Sequence, residues 1–297
     1  GARYSKDTQD YTRYTLPGPP PPGCFPCTNT AESSKTTGRL GGKYFFAKDM
    51  MLYATLSRGY KAGGVNLDPR LSVFGPETNT VGELGIKTTV ADGRLRVNGD
   101  VFYSDYKDIQ VSALVTIAPG VALPSAINGP AAKIYGGEVE LLGQFDALAF
   151  NVGLSVLHSE TTEARTMTNS SILPSAEQPV SSGTELPFSP AVTVTAGVEY
   201  AFKLGDGKLT PRLQGSYMGE QWATFFHNDT LTRVPSHAIA DFRLTYAPIE
   251  QLQLEGFVSN MLNKTYIAVQ VQEASSASGG YLYGAPRQFG GRVVYKF

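Results

Sequence analysis

The chain has 297 residues, room for one large domain or two small ones. Its 25 Lys and Arg against 26 Asp and Glu leave a formal charge of −1, with no basic run or stripe, which argues against a nucleic-acid partner. No stretch approaches the roughly 18 apolar residues of a helical membrane span, whereas 16 Tyr, 15 Phe and 32 Gly suit β structure with tight turns.

The opening "GARYSKDTQDY" reads as a strand already under way, and it predicts that further sequence precedes it. In chain order, period-two alternation predicts about twelve strands, with cores at 1–12, 36–47, 50–62, 78–91, 94–109, 132–145, 147–162, 190–204, 207–222, 236–248, 250–262 and 285–297. The clearest is "AVTVTAGVEYAFK". There Val192, Val194, Ala196, Val198, Tyr200 and Phe202 share one face, and Thr193, Thr195, Glu199 and Lys203 the other. Many cores exceed the five or six residues usual in globular strands and suit a tilted membrane strand of roughly nine to eleven.

The connections alternate in length. Short ones are "AKD" (47–49), "ADG" (91–93), "FDA" (145–147), "GDG" (205–207) and "PIEQ" (248–251), each a tight-turn signal. Long ones are 13–35, 63–77, 110–131, 163–189, 223–235 and 263–284, with the Pro run 19–22 and stretches such as "EASSASGG" that have loop composition. Turns at one end and long loops at the other predict an all-β, antiparallel, up-and-down transmembrane β-barrel, read as one barrel domain over 1–297. A soluble sandwich has no reason to sort its loops in this way.

Opposite the apolar stripes lie Lys87, Arg96, Lys203, Arg212, Arg243, Arg292 and Lys296, and Glu83, Asp100, Glu138, Glu140, Glu199, Asp241 and Glu255. A Lys or Arg facing lipid at mid-bilayer costs about 2–4 kcal/mol, so these side chains are expected to point into a lumen. The two signs are balanced, which suits a polar plug better than a strongly selective ion pore. Glu138 and Glu140 share a face; pairing with Arg or Lys of neighbouring strands is expected there rather than acid–base chemistry.

Cys24 and Cys27 in "CFPC" are expected to bridge in an oxidising compartment; a redox C-x-x-C needs a βαβ setting, and two further metal ligands are missing from that loop. His158 falls near the upper end of a strand on the lipid-facing parity, and His237 begins another strand. Trp222, Phe225, Phe226 and His227 in "WATFFHND" lie at the outer rim, where rim packing and capture of a small organic ligand are the two readings. No G-x-S-x-G, H-E-x-x-H or P-loop occurs, so neither catalytic residues, metal nor cofactor is expected. A self-contained pore and a barrel hydrolase are the competing functions; the hydrolase needs a Ser partner for His158 that the sequence does not supply.

"LYATLSRGYKAGG" (52–64) resembles the strand-to-loop signature of TonB-dependent outer-membrane receptors. So do "VGELGIKTTVADGRLRVNGDVFYSDYKDIQV" (81–111), "NGPAAKIYGGEVEL" (128–141), "LPFSPAVTVTAGVEY" (186–200), "VSNMLNKTY" (258–266) and "YGAPRQFGGRVVYKF" (283–297), in this order. The resemblance covers the chain from about residue 38. It implies the C-terminal part of a 22-stranded barrel in a bacterial outer membrane, without the N-terminal plug and the early strands. It also implies import of a scarce nutrient, foremost a ferric siderophore, driven through TonB, ExbB and ExbD by way of the missing plug. On this reading Arg58, Tyr60 and Lys61 lie near the pore mouth as candidate ligand contacts. Phe297 resembles the family's signal to the barrel-assembly machinery. Twelve strands alone would stay open at two edges or close into a narrower barrel.

Overall fold

Bulky apolar side chains at every second position give a strand one greasy face, and a single-layered sheet has nothing of its own to cover it. This chain builds such a sheet. The computed structural model describes residues 1–13, 27–68, 71, 73–118, 121–169, 176–272 and 279–297. Twelve wall strands follow in chain order: β1 (Ala2–Arg13), β2 (Cys27–Ala47), β3 (Met50–Lys61), β4 (Glu77–Val90), β5 (Leu95–Lys107), β6 (Ala132–Phe145), β7 (Leu148–Thr161), β8 (Val192–Tyr200), β9 (Gly207–Met218), β10 (His237–Ile249), β11 (Leu252–Ser259) and β12 (Gln288–Tyr295). Each pairs antiparallel with the next, and Phe202–Leu204 carries the β8 side of its hairpin past a break at Ala201. Among the described residues no strand pairs with the outer edge of β1 or of β12, so the wall is open.

The register fixes the faces. Leu84 of β4 stands opposite Val101 of β5, Val139 of β6 opposite Leu154 of β7, and Val198 of β8 opposite Leu213 of β9. These belong to the outward stripe, with Leu84 56% and Val101 57% exposed, far too open for a water-facing surface of this extent. From Leu95 to Tyr103, at about 3.3 Å per residue and about 40° of tilt, the stripe spans roughly 20 Å, close to the apolar band of a membrane barrel. Arg96, Asn98 and Asp100 of β5 project to the opposite face, as do Glu199 of β8 and Arg243 of β10. The expected phase therefore holds through the wall.

The short turns are built as their sequences require. At 91–93, Ala91 and Asp92 have φ of 54° and 56° and Gly93 has 85°, the left-handed geometry that lets a two-strand hairpin keep its twist. Asp146 (50°) and Gly205 (60°) serve the turns at 145–147 and 205–207.

The long connections depart from expectation. Most of them are not irregular loops. β2 begins at Cys27, so the expected loop 13–35 is strand from 27 onward. Gln110–Ala118 pairs with Val121–Asn128, Arg165–Asn169 with Ala176–Val180, and Ile267–Gln272 with Gly279–Tyr283. The expected strand 207–222 ends at Met218; Gln221–Trp222 pair instead with Arg233–Val234. In the 110–128 hairpin Val111, Ala113 and Val115 do alternate, opposite Ile127, Ser125 and Leu123, within a segment expected to be a long loop, whereas the β1–β2 ribbon has no apolar stripe. Polar ladders replace it in the β1–β2 ribbon: Thr30 donates to Asp10 at 2.7 Å, and Thr12 and Thr28 share a hydrogen bond at 2.9 Å.

The buried cluster lies in this outer layer and at the outer end of β6. Ile109, Ala132, Met167, Val180, Leu186 and Phe225 form one cluster. Cys24 lies outside the described residues, as does the side chain of Cys27, so the expected bridge falls there too.

Candidate functional site

Each outer segment hydrogen-bonds a neighbour, which makes the outer layer a continuous cap on the wall. Gly63 donates to Ser33 Oγ (3.0 Å) and Val65 to Gln9 Oε1 (3.3 Å), tying 62–66 beneath the β1–β2 ribbon. Gly75 donates to Asn128 Oδ1 at 2.6 Å, and Asn128 Nδ2 returns a bond to the Gly75 carbonyl at 2.9 Å. Further along, Thr161 Oγ1 donates to the Ser181 carbonyl (2.7 Å), Phe188 N to the Trp222 carbonyl (2.8 Å), and Tyr281 to the Thr230 carbonyl (2.6 Å). Every one of these backbone groups would otherwise need water, and each bond lowers the freedom of a loop by anchoring it to the next.

Within this cap, "WATFFHND" folds on itself. Trp222 and His227 stack with ring centroids 4.3 Å apart and planes 7° from parallel. His227 Nε2 lies 3.3 Å from the Glu185 carbonyl oxygen, an acceptor, which assigns the ring proton to Nε2. Thr232, fully buried, donates to the Phe226 carbonyl at 2.8 Å and closes the turn. Beside it, a cavity of about 430 Å³ lies between this turn and the 176–184 arm, lined by Gln178, Ser181, Thr184, Phe226, His227 and Asn228 among others. Among the described residues the lining is aromatic, aliphatic and amide or hydroxyl in character, with no Asp, Glu, Lys or Arg. Its size falls in the range of small-molecule sites.

The expected aromatic group therefore splits. Phe226 and His227 line the cavity, and Trp222 backs His227. Phe225 also borders the cavity but is itself part of the buried cluster, so most of its surface holds the cap together. Gln178, Ser181 and Thr184 carried no signal, because only the fold brings their hairpin against the 225–228 turn. Arg233, just beyond, is hydrogen-bonded to the Glu220 carboxylate, which pushes the guanidinium still further up.

Arg58, Tyr60 and Lys61 form a separate group at the outer end of β3, with five wall strands between them and β9. Arg58 stands opposite Gly38 and Thr80, and Lys61 opposite Glu77. Tyr60 donates its hydroxyl to the Asp7 carboxylate.

On the inner wall, about 570 Å³ of hollow is bordered by Glu83, Asp100, Glu138 and Glu140, with Lys87 the cation among its lining residues. Among the described residues, no Arg or Lys, Lys87 included, forms the expected ion pair with Glu138 or Glu140. Ser155 donates to Glu138 (3.3 Å) and Asn98 to Glu140 (2.8 Å), so neutral donors satisfy the carboxylates. Ion pairs on the inner wall form instead among β8 to β12. Arg212 pairs with Glu199 at 2.9 Å, and Glu255 accepts a hydrogen bond from Arg292 (3.2 Å) and forms a longer ion pair with Arg243 (3.7 Å). His158 lies on the outward face beside Tyr135, with ring centroids 4.9 Å apart, and 3.6 Å from Glu160. Phe297 lies past β12 at the short-turn end, its ring edge-on to Tyr295 at 5.2 Å.

Residues 1–261 match the family described as TonB dependent receptor-like, beta-barrel. The chain is 25% identical over 284 residues to the pesticin receptor of Yersinia pestis, covering 93% of this chain and 38% of that protein. Among solved structures it is similar to the ferric yersiniabactin uptake receptor FyuA from Yersinia pestis, at 21% identity and a TM-score of 0.77 over 100% of this chain and 42% of that one. It is also similar to the siderophore receptor PiuA from Acinetobacter baumannii, at 18% identity and a TM-score of 0.72 over 99% of this chain and 39% of that one. At these identities the structural likeness speaks for the fold. The chain spans about two fifths of the length of each of these relatives.

Proposed function

The chain belongs to the TonB-dependent receptor-like β-barrel family of the bacterial outer membrane, and on that premise we propose that residues 1–297 form one wall domain of a receptor that imports a scarce nutrient, a ferric siderophore foremost. The observation that carries this reading is the match to the pesticin receptor along 93% of the chain, joined to a wall that is apolar outward and charged inward. The relatives matched are receptors and transporters, which supports a non-enzymatic role.

The whole machine needs more than this wall. An inner face of this polarity suits a folded plug in the lumen, and the remaining wall strands would cover the edges of β1 and β12. Energy would come from TonB, ExbB and ExbD acting through that plug, and Phe297 would be read by the barrel-assembly machinery. Ligand capture is proposed at the outer cap, with Phe226 and His227 facing the guest, Trp222 holding the His227 ring, and Phe225 setting the turn from behind.

The test is uptake of a radiolabelled ferric siderophore under iron limitation, in cells carrying or lacking the gene, with and without TonB. Uptake that needs both supports the proposal. Uptake that survives loss of TonB would favour a passive pore, and unchanged uptake without the gene would end the reading.

A further inference from the structure

Past Gly38, which stands opposite both Ala2 and Arg58, β2 stays with β1 and parts from β3. The fork borders an open hollow of about 520 Å³ whose lining includes Arg3, Ser5 and Asp7 of β1, Thr37 of β2, and Arg58 and Tyr60 of β3. We propose that this fork is an oxyanion subsite, taking a small ligand through carboxylate or phosphate oxygens held between the Arg3 and Arg58 guanidiniums. It adds a ligand class to the uptake reading above and rests on that reading only for its purpose, since binding can be measured without transport.

Charge and donor chemistry carry the assignment. Two guanidiniums border the hollow, and among the described residues neither has a carboxylate within ion-pair reach. The carboxylate in the lining, Asp7, is engaged by the Tyr60 hydroxyl, which turns it toward Tyr60 and leaves the fork with a net charge of about +1. Each guanidinium presents a planar fork of N–H donors that matches two oxygens at once, and Ser5 and Thr37 add hydroxyls. A cation would be repelled here, and a neutral sugar would leave both guanidiniums unneutralised. The volume suits a compact polyanion of citrate size.

The test is calorimetric titration of the full 297-residue chain in neutral detergent micelles with citrate and with inorganic phosphate. Far-UV circular dichroism confirms that each variant keeps its sheet. Citrate is expected to bind. Arg58→Gln and Arg3→Gln should each weaken it by about tenfold or more, the loss typical of one charge-assisted contact. Asp7→Asn should tighten it, because the substitution removes the negative charge in the fork; a merely structural role for these residues would not give opposite signs. Absence of citrate binding, indifference to both arginine substitutions, or weaker binding in Asp7→Asn would overturn the proposal. Arg58 also borders the outward face, so phosphatidylglycerol is added to the micelles as a second arm. Failure of the lipid to compete supports a soluble ligand, and binding of lipid-borne phosphate alone would overturn the subsite. A failed uptake assay leaves this titration standing, and a failed titration leaves uptake standing.

Discussion

Tyr53 of β3 stands directly opposite Gly85 of β4, and its ring covers the glycine so closely that a Cβ there would lie 2.5 Å from ring atoms. The same side chain donates its hydroxyl to Glu83 at 2.6 Å, and Lys87 lies 5.5 Å from the ring centre. A residue without a side chain is needed at 85 so that an aromatic plate can lie flat on the inner wall and hold two neighbouring charges in place.

Gly85→Ala should therefore lift the ring and break the bond to Glu83. Overpacking of this kind costs about 1–3 kcal/mol. The expected outcome is a lower urea midpoint in detergent with an unchanged slope. Gly82→Ala on the same strand, where a Cβ meets open space, is the control and should leave the midpoint near its original value. Equal effects at both positions would contradict the packing argument.

The two faces of β5 give a second prediction. Val101 projects outward and Asn98 inward, where it donates to Glu140 at 2.8 Å. Val101→Lys should lower folding into lipid vesicles by about 2–4 kcal/mol, the depth-dependent cost of a lipid-facing cation. Asn98→Lys places the same charge three residues away beside a carboxylate and should be nearly neutral. Folding yield against urea in vesicles reads both. Similar penalties at the two sites would mean that the faces are wrongly assigned.

Period-two alternation made the wall legible because a one-residue slip would send every charge on a strand into lipid. That penalty writes itself into sequence at Leu95, Val97 and Val101 against Arg96, Asn98 and Asp100. The turns were legible for a local reason, since Asp92 and Gly93 meet a backbone demand met by few other residues. The β1–β2 ribbon was not. Thr8 and Glu32, Asp10 and Thr30, Thr12 and Thr28 stand opposite one another with water on their outward side, so no apolar stripe marks them. The cap was legible only in part. Local composition pointed to Trp222 and His227, but not to Gln178 or Ser181, whose place beside them follows from the way two distant hairpins fold over β7. Glu138 and Glu140 show the limit of charge counting. The sequence holds enough cations to pair them, yet the register puts Asp100 and Ser155 opposite Glu138, and Asn98 and Gly153 opposite Glu140.

Glu255 of β11 gives a third prediction. Its side chain is 9% exposed, accepts a hydrogen bond from Arg292 and forms a longer ion pair with Arg243; the two arginine side chains are 60% and 53% exposed. Glu255→Gln keeps the shape and removes the charge, leaving two guanidiniums facing each other across one neutral amide. The expected loss is about 1.5–3 kcal/mol for the charged hydrogen bond to Arg292, with the longer Arg243 contact adding less. Arg292→Gln in the Glu255→Gln background should cost little more. A double-mutant cycle by urea denaturation measures this coupling, and strictly additive losses would show that the three side chains act independently.

Asn260, at the end of β11, is 4% exposed with φ of 46°. Its backbone N–H donates to Asp241 Oδ1 (2.7 Å), its Nδ2 donates to the carbonyls of Lys264 (2.8 Å) and Ala285 (3.0 Å), and its Oδ1 accepts from Lys264 N (2.8 Å). The residue thus ties β10 to the turn that follows β11, and that turn to the segment entering β12. Asn is suited to both demands, since it tolerates the left-handed region and its side chain makes three hydrogen bonds in the turn. Asn260→Gly keeps the backbone geometry and loses the side-chain bonds, at about 1–3 kcal/mol for the buried groups left unpaired. Asn260→Ala adds about 1–2 kcal/mol for a Cβ in the left-handed region. Amide hydrogen exchange should show β12 opening first, with protection falling in the order wild type, Asn260→Gly, Asn260→Ala, while β4 and β5 stay unchanged. Protection of β12 that is the same in all three proteins would mean that the β11–β12 ladder holds without this side chain.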